Sequence, residues 1–124
     1  MITKEITLCG KQVILAYCYA TEIAFKNMCN EDMFDYVQHA VESIKQERDP
    51  DAEKTIYAIL ACMMAYYEDA DKAPVKDSEI IKDATPVEIG TAMVAILNMR
   101  SEFYHVPKDE PQEKPQDGES KKNA

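Results

Sequence analysis

The chain has 124 residues, with 14 Lys and Arg against 23 Asp and Glu, so its formal charge is -9 at neutral pH. A chain of this length fits one domain and is too short for two independent cores. Net negative charge repels phosphate backbones and anionic lipid headgroups, which argues against nucleic acid and membrane surfaces as partners. The hydrophobic fraction of 46% is ordinary for a folded protein, so a fully disordered chain is excluded.

The cysteines indicate a reducing compartment. Cys9, Cys18, Cys29 and Cys62 lie in apolar surroundings, and no segment with a basic start and an apolar run precedes them. Charged residues interrupt the longest apolar run before it reaches the ~20 residues needed to cross a bilayer. We therefore expect a soluble, cytoplasmic protein.

Residues 2–19 are predicted to form a β-hairpin. The dipeptide Gly10-Lys11 separates two runs rich in β-branched and aromatic residues, ITKEITL and QVILAYCY. Glycine takes the positive φ of a tight turn without steric cost, so the turn is placed at this dipeptide.

Two amphipathic helices are predicted next. Thr21 is expected to cap the first, which ends near Asn30 because asparagine tolerates a left-handed backbone. The second begins at about Glu31 and closes at Arg48. Its apolar residues recur at spacings of three and four, which places them on one helical face: Phe34, Val37, Val41 and Ile44.

Asp49-Pro50 predicts the start of a third helix, because Asp accepts from free first-turn amides and Pro loses no needed donor there. This helix is expected to run to about Asp69. It is apolar on nearly every side, through Ile56, Tyr57, Ile59, Leu60, Ala61, Met63, Met64, Tyr66 and Tyr67. Such a helix is either central in the fold or covered by a partner.

Two further helices are predicted before the tail. Asp77-Ser78 can cap a short fourth helix, and the segment from Thr85 to Glu88 is a capping box with Pro at its first helical position. The fifth helix ends near His105. Gly90 interrupts it at a cost of about 1 kcal/mol against Ala, which close helix packing would explain.

Residues 107–124 contain no large apolar side chain and are predicted to form a disordered, acidic, Pro-containing tail. The sequence therefore predicts a mainly α (α+β) fold over residues 1–106. A β-hairpin begins this single domain, and a small bundle of four to five helices follows it.

No grouping of residues predicts catalysis, a cofactor or a metal. The cysteines are too far apart in sequence for a zinc site, and Glu102 with His105 lacks the second copy that carboxylate-bridged metal helices need. Asp35 and His39 are interpreted as a simple side-chain pair. With three glycines and no nucleophile beside a base, phosphate-binding loops and acyl-transfer sites are not expected.

The surplus of methionine and tyrosine predicts a protein-binding surface, because flexible thioethers and amphipathic rings adapt to apolar partners. For each of these residues, packing in the core is the competing interpretation. The candidate partner-binding residues are Tyr57, Met63, Met64, Tyr66, Tyr67, Met93, Met99 and Tyr104.

The order of these elements resembles the tail assembly chaperones of long-tailed bacteriophages. The resemblance rests on ITLCGKQVILAY at 6–17, the aromatic Tyr19, the helix start TEIAF, the amphipathic helices and the charged tail, and it covers roughly residues 1–106. It implies a non-enzymatic protein of the bacterial cytoplasm that coats the long tape measure protein and helps tail tube protein assemble around it.

A second function is compatible with the same features. The chain could be a small acidic adaptor of a bacterial host that self-associates through helix 3 or helix 5, because helices with excess apolar surface often bury it against their own copies.

Overall fold

A computed structural model describes residues 1–48 and 51–105, together with the backbone of four residues further on. In this part of the chain a β-hairpin precedes five α-helices, so the predicted fold class is confirmed. The hairpin and helices are β1 (Ile2–Leu8), β2 (Lys11–Tyr17), α1 (Tyr19–Cys29), α2 (Met33–Lys45), α3 (Ala52–Tyr67), α4 (Asp77–Asp83) and α5 (Pro86–Tyr104), with a 3-10 helix at Ala70–Lys72. Two short strands, β3 (Asp117–Gly118) and β4 (Ser120–Lys121), pair with each other. Apart from these strands, the predicted disordered tail lies outside the described residues.

The hairpin turn is one residue earlier than predicted. Leu8 is paired with Lys11, so Cys9 and Gly10 form the two-residue turn, with φ of 52° and 75°. Positive φ at both turn positions matches the right-handed twist of paired strands. Ile6, Leu8, Val13 and Leu15 are buried, and the hairpin contributes this face to the core.

Helix α1 begins before Thr21, so the prediction that Thr21 caps it is wrong. Thr21 is fully buried in the first turn, where its hydroxyl donates to Ala16 O at 2.8 Å and accepts from Cys18 N at 3.2 Å. These bonds join the end of β2 to the start of α1. The predicted end of the helix is confirmed, since Asn30 is left-handed with φ 60° and donates to Lys26 O.

Helix α3 is the central helix, packed against α1, β2 and α5. Asp51 caps it and accepts from Lys54 N at 3.2 Å, whereas the predicted cap Asp49 lies outside the described residues. The helix ends at Tyr67 rather than near Asp69. Its neighbours in the same chain cover most of its apolar surface. Of the two expectations for this helix, a central position and coverage by a partner, the structure therefore shows the central position.

Helix α2 packs on the core through a face rotated from the predicted one, although Val37 of the predicted face still packs against the core. Its buried residues are Met33, Tyr36, Ala40 and Ser43, whereas Phe34 is 55% exposed and Ile44 44% exposed. The Tyr36 ring lies 5.5 Å from the Phe25 ring, and its hydroxyl donates to Thr55 Oγ1 at 3.3 Å. A buried tyrosine is favoured when its hydroxyl finds a partner, and this contact rotates the predicted apolar face toward solvent.

Helix α5 packs against the hairpin and α3. Its predicted capping box is confirmed, because Thr85 Oγ1 accepts from Glu88 N at 3.2 Å and Glu88 accepts from Thr85 N at 3.0 Å. A Cβ added at Gly90 would meet no atom within 4 Å, so close packing within the chain does not explain this glycine. None of the helices in the described residues has the length and apolar character to cross a membrane.

Candidate protein-binding groove

The eight residues predicted to bind a partner differ in how far their side chains are exposed to solvent. Three are buried: Met63, Met93 and Met99. For these three residues the competing interpretation, packing in the core, describes their position. Tyr57 and Tyr67 are half-buried, whereas Met64, Tyr66 and Tyr104 are exposed.

The two half-buried tyrosines pack beside the core. The Tyr67 hydroxyl accepts from Ile14 N at 3.1 Å, and its ring meets that of Tyr66 edge-on at 4.9 Å. Tyr67 therefore links α3 to β2 within the chain.

Met63 and Met64 line a small pocket of about 230 Å³ together with Met28 of α1. Asp69, Asp71 and Asp77 also contribute to its walls. Met64, 41% exposed, is the most accessible of these three methionines.

A larger groove lies where α1, α2 and the C-terminal end of α5 meet. Its volume is about 500 Å³, and large exposed side chains from all three helices line it. We call it the aromatic groove, and its apolar wall consists of Tyr19 (66% exposed), Ile23 (61%), Phe34 (55%) and Tyr104 (47%). Isolated exposed apolar residues are common on proteins, whereas four around one concavity make this groove the candidate binding surface.

Phe103 supports the wall of this groove from below. Its ring lies 5.1 Å from the Tyr19 ring, 5.1 Å from the Tyr104 ring and 5.5 Å from the buried Tyr17 ring. Aromatic pairs at these separations attract each other beyond their buried area. The exposed rings are therefore held in position before any partner binds.

A polar network centred on Glu22 lies at the base of the groove. The Tyr17 hydroxyl donates to Glu22 Oε2 at 2.7 Å, and the Tyr104 hydroxyl donates to both carboxylate oxygens at 2.7 and 2.9 Å. Hydrogen bonds to an ionised carboxylate are stronger than neutral ones. Glu22 thus fixes Tyr104 of α5 against α1, although the two residues are far apart in sequence.

Arg100 lies between two aromatic rings of the groove. Its guanidinium carbon is 4.5 Å from the Tyr104 ring centroid and 5.7 Å from that of Phe34, distances typical of cation–π contacts. Its Nε is buried without a hydrogen-bond partner, and the nearest Glu22 oxygen is 3.8 Å away. The charge of Arg100 is balanced by Glu22, while its donors are not saturated.

The pKa values of the groove tyrosines follow from these contacts. The hydrogen bond to Glu22, with some desolvation, raises the pKa of Tyr104 above its ordinary value. Burial, followed by the hydrogen bond to Glu22, raises the pKa of Tyr17 strongly. Both phenols are therefore neutral donors at physiological pH, as the network requires.

Among the described residues, no three His, Cys, Asp or Glu side chains form a group that could hold a metal ion. His105 Nδ1 lies 2.7 Å from Ser101 O of its own helix turn. Burial raises the pKa of the Cys62 thiol, and burial with nearby carboxylates raises that of Cys9, so neither is an activated nucleophile.

Sequence reasoning selected Tyr104 alone from the apolar wall of the groove. In the sequence, Tyr19 followed the predicted second strand and Phe34 belonged to the predicted apolar face of α2, so neither indicated a groove. Their exposure depends on the rotation of α2 and on the contact between α1 and α5, which no local pattern encodes. The sequence showed that α2 has an apolar face, but it did not show that Phe34 and Ile44 on that face remain exposed.

No protein-family model, curated protein or solved structure matches this chain.

Proposed function

We propose that the protein is a non-enzymatic phage or prophage tail assembly chaperone, which binds an apolar segment of the tape measure protein in the aromatic groove. In this role it acts in the bacterial cytoplasm and helps tail tube protein assemble around its client. The proposal is supported by the order of a hairpin followed by helices, which carries the resemblance, and above all by the four exposed apolar side chains around one groove.

The composition of the groove suits protein binding. Tyrosine and arginine are enriched among the residues that dominate binding energy, and they act best when packed neighbours keep them in place. Tyr19 and Tyr104 are supported by Phe103, and Arg100 is enclosed by rings. An apolar client side chain can enter the groove without displacing these contacts.

The surface charge complements this role. With a formal charge of -9, copies of the protein repel one another and remain soluble while part of their surface is apolar. A protein that keeps an aggregation-prone client in solution needs both properties.

Co-expression tests this function. The chain is expressed with the long tape-measure-like reading frame from its own gene neighbourhood, and the soluble, co-purifying fraction of that client is measured. Wild-type chain is expected to hold the client in solution, and the double variant Ile23→Glu, Phe34→Ser is expected to lose most of this effect.

Gln12→Glu is the control for the added charge, because Gln12 is exposed on β2 and does not line the groove. It should retain full activity toward the client. A gene neighbourhood without a tail tube protein and a very long reading frame contradicts the phage assignment. A client that stays insoluble with wild-type chain contradicts the chaperone function.

A further inference from the structure

A second exposed apolar surface lies at the other end of the α2–α5 pair. Phe34, near the start of α2, contacts Arg100 near the end of α5, whereas Ile44, at the end of α2, lies beside Val87 and Val94 in the first half of α5. We call this second surface the aliphatic face, and it consists of Ile44 (44% exposed), Ile81 (66%), Val87 (78%), Gly90, Thr91 and Val94 (49%).

The aliphatic face is uncharged. Two adjoining concavities of about 370 and 540 Å³ share Gly90 and Met93, and no charged residue lines either of them. Helix α5 carries no charged residue from position 89 to position 99, although 30% of the whole chain is charged. The aromatic groove differs in this respect, since Glu22, Lys26 and Arg100 all line it.

Gly90 lies within this face between Val87 and Val94. The spacings of three and four place these residues on one side of the helix. Glycine inside a helix costs about 1 kcal/mol against alanine, and in this chain no neighbour needs the space that it leaves. The open site above Gly90 permits an atom of another molecule to approach the α5 backbone closely.

We propose that the aliphatic face binds a second copy of this chain across a two-fold axis, with the two α5 helices crossing near Gly90. In this arrangement Val87 or Val94 of each copy packs into the site left by Gly90 of the other. A two-fold contact is self-complementary, so it needs one patch that fits itself. The open site at Gly90, with Val87 before it and Val94 after it on the same side of α5, meets that requirement.

The self-complementary arrangement around Gly90 selects a second copy as the occupant, and charge favours this face over the rest of the surface for the contact. Two chains that each carry a formal charge of -9 repel each other, and most of their surface would bring like charges together. The aliphatic face lets two copies join without burying an unpaired charge, which would be costly. Depletion of charge at the centre is also typical of homodimer interfaces.

Dimerisation through this face goes beyond client binding and does not depend on it. Gly90 and Arg100 are ten residues apart on α5, or roughly 15 Å at the helical rise, and no residue of the aliphatic face lines the aromatic groove. Each dimer would present two aromatic grooves. Two sites on one particle would hold a long client more tightly than one site of the same affinity.

Analytical ultracentrifugation of the full chain across the micromolar range tests the proposal. Wild-type chain is expected to sediment at twice its mass of 14.1 kDa. Val87→Asp and Val94→Glu are each expected to raise the dimer dissociation constant by about 100-fold or more, because two unpaired carboxylates would be buried at the axis. Ile23→Glu, a matched change in the groove, should leave the dimer intact.

Two further readouts separate this interface from others. Circular dichroism should show that both valine variants keep the wild-type helix content, since both side chains are exposed. Added salt should tighten the dimer, because it screens repulsion between two acidic copies. A monomeric wild-type chain, a dimer that both valine variants leave unchanged, or a dimer that salt dissociates would each overturn the proposal.

Discussion

The aromatic groove and the aliphatic face lie at opposite ends of the same two helices, and both expose large apolar side chains. In the groove, Glu22 accepts hydrogen bonds from the Tyr17 and Tyr104 hydroxyls and lies beside the charge of Arg100. These groups form a polar base beneath the apolar wall. The aliphatic face has no such base, and its cavities are lined without charge. Exposed apolar area alone therefore does not tell which kind of partner a surface binds. The polar groups beneath and around that area differ between the two surfaces and must be considered as well.

The two surfaces suit different kinds of contact. A groove with fixed rings and an arginine can bind and release a client, and Glu22 keeps its hydrogen bonds from both tyrosine hydroxyls in the free protein. An uncharged aliphatic surface resembles a permanent interface, whose exposure is unfavourable in the free chain. The predictions below test this difference in order of expected effect.

Glu22→Ala should cause the largest loss of stability. The substitution leaves the buried Tyr17 hydroxyl without its acceptor and removes the carboxylate beside Arg100, and hydrogen bonds to charged groups contribute about 1.5–3 kcal/mol each. We expect the free energy of unfolding in urea to fall by about 2–4 kcal/mol. The measurement is made in a Val94→Glu background, so that unfolding involves one chain.

The matched change on the aliphatic face should have little effect on the same quantity. In a single chain, Val87→Asp is expected to alter the free energy of unfolding by no more than about 0.5 kcal/mol, because it is exposed and lies in the first turn of α5. If Glu22→Ala lowers the free energy of unfolding by no more than Val87→Asp does, the polar base does not stabilise the groove.

Alkaline pH should destabilise the groove end and the core through tyrosine ionisation. Burial raises the pKa of Tyr36 from its ordinary value of 10 to about 12, and the pKa of Tyr17 is also raised. The folded chain therefore retains protons that the unfolded chain loses. The stability from each group is complete below pH 10 and decreases as pH rises, for Tyr36 between pH 10 and about 12.

The expected slope is about 1.4 kcal/mol per pH unit for each such tyrosine. The slope is measured by urea unfolding at pH values between about 9 and 12, which span the ordinary pKa of tyrosine in the unfolded chain. Tyr17→Phe should reduce the dependence of the unfolding free energy on pH above about pH 10. Val87→Asp should leave this dependence as in wild type, because no titratable side chain lines the cavities of the aliphatic face. Equal slopes in wild type and Tyr17→Phe would contradict the raised pKa of Tyr17.

Gly90→Ala should have opposite effects on the single chain and on the dimer. The new methyl group meets nothing within 4 Å, so in a Val87→Asp background it should raise the free energy of unfolding by about 1 kcal/mol. In the otherwise wild-type chain it should weaken dimerisation, because it fills the site at the helix crossing. A dimer as tight as wild type would place the crossing elsewhere.

Met64→Ser with Tyr66→Ser should have a small effect on stability. Both side chains are about 40% exposed at the end of α3, and their loss should cost no more than about 1 kcal/mol of stability. Circular dichroism and thermal unfolding measure this. Strong unfolding would mean that they belong to the core, and lost client binding with intact folding would move the client site toward the methionine pocket.

The elements with a local signal were predictable. The capping box at Thr85, the left-handed Asn30 and the hairpin each depend on neighbouring residues, and the structure confirms them. The exposed face of α2 was not predictable from periodicity, since Phe34 and Ile44 carry the stronger apolar pattern. Tyr36 takes the buried position because its ring meets Phe25 and its hydroxyl meets Thr55.

The candidate sites were the least predictable feature. Tyrosine and methionine content indicated protein binding, but it could not tell Met64 and Tyr104 from the buried Met93 and Met99. Burial of a methionine depends on which helices pack together, and that is a property of the whole fold. The groove combines residues from both ends of the domain, so its existence follows only from the contact of α1 with α5 through Glu22.

The most direct test of client binding in the groove is an NMR titration of the full chain. Backbone amide shifts are followed while a purified fragment of the neighbouring tape-measure-like protein is added. The account predicts that shift changes concentrate at Tyr19, Ile23, Phe34 and Arg100 and leave Val87, Gly90 and Val94 unaffected. Changes concentrated at the aliphatic face, with the groove unaffected, would contradict it.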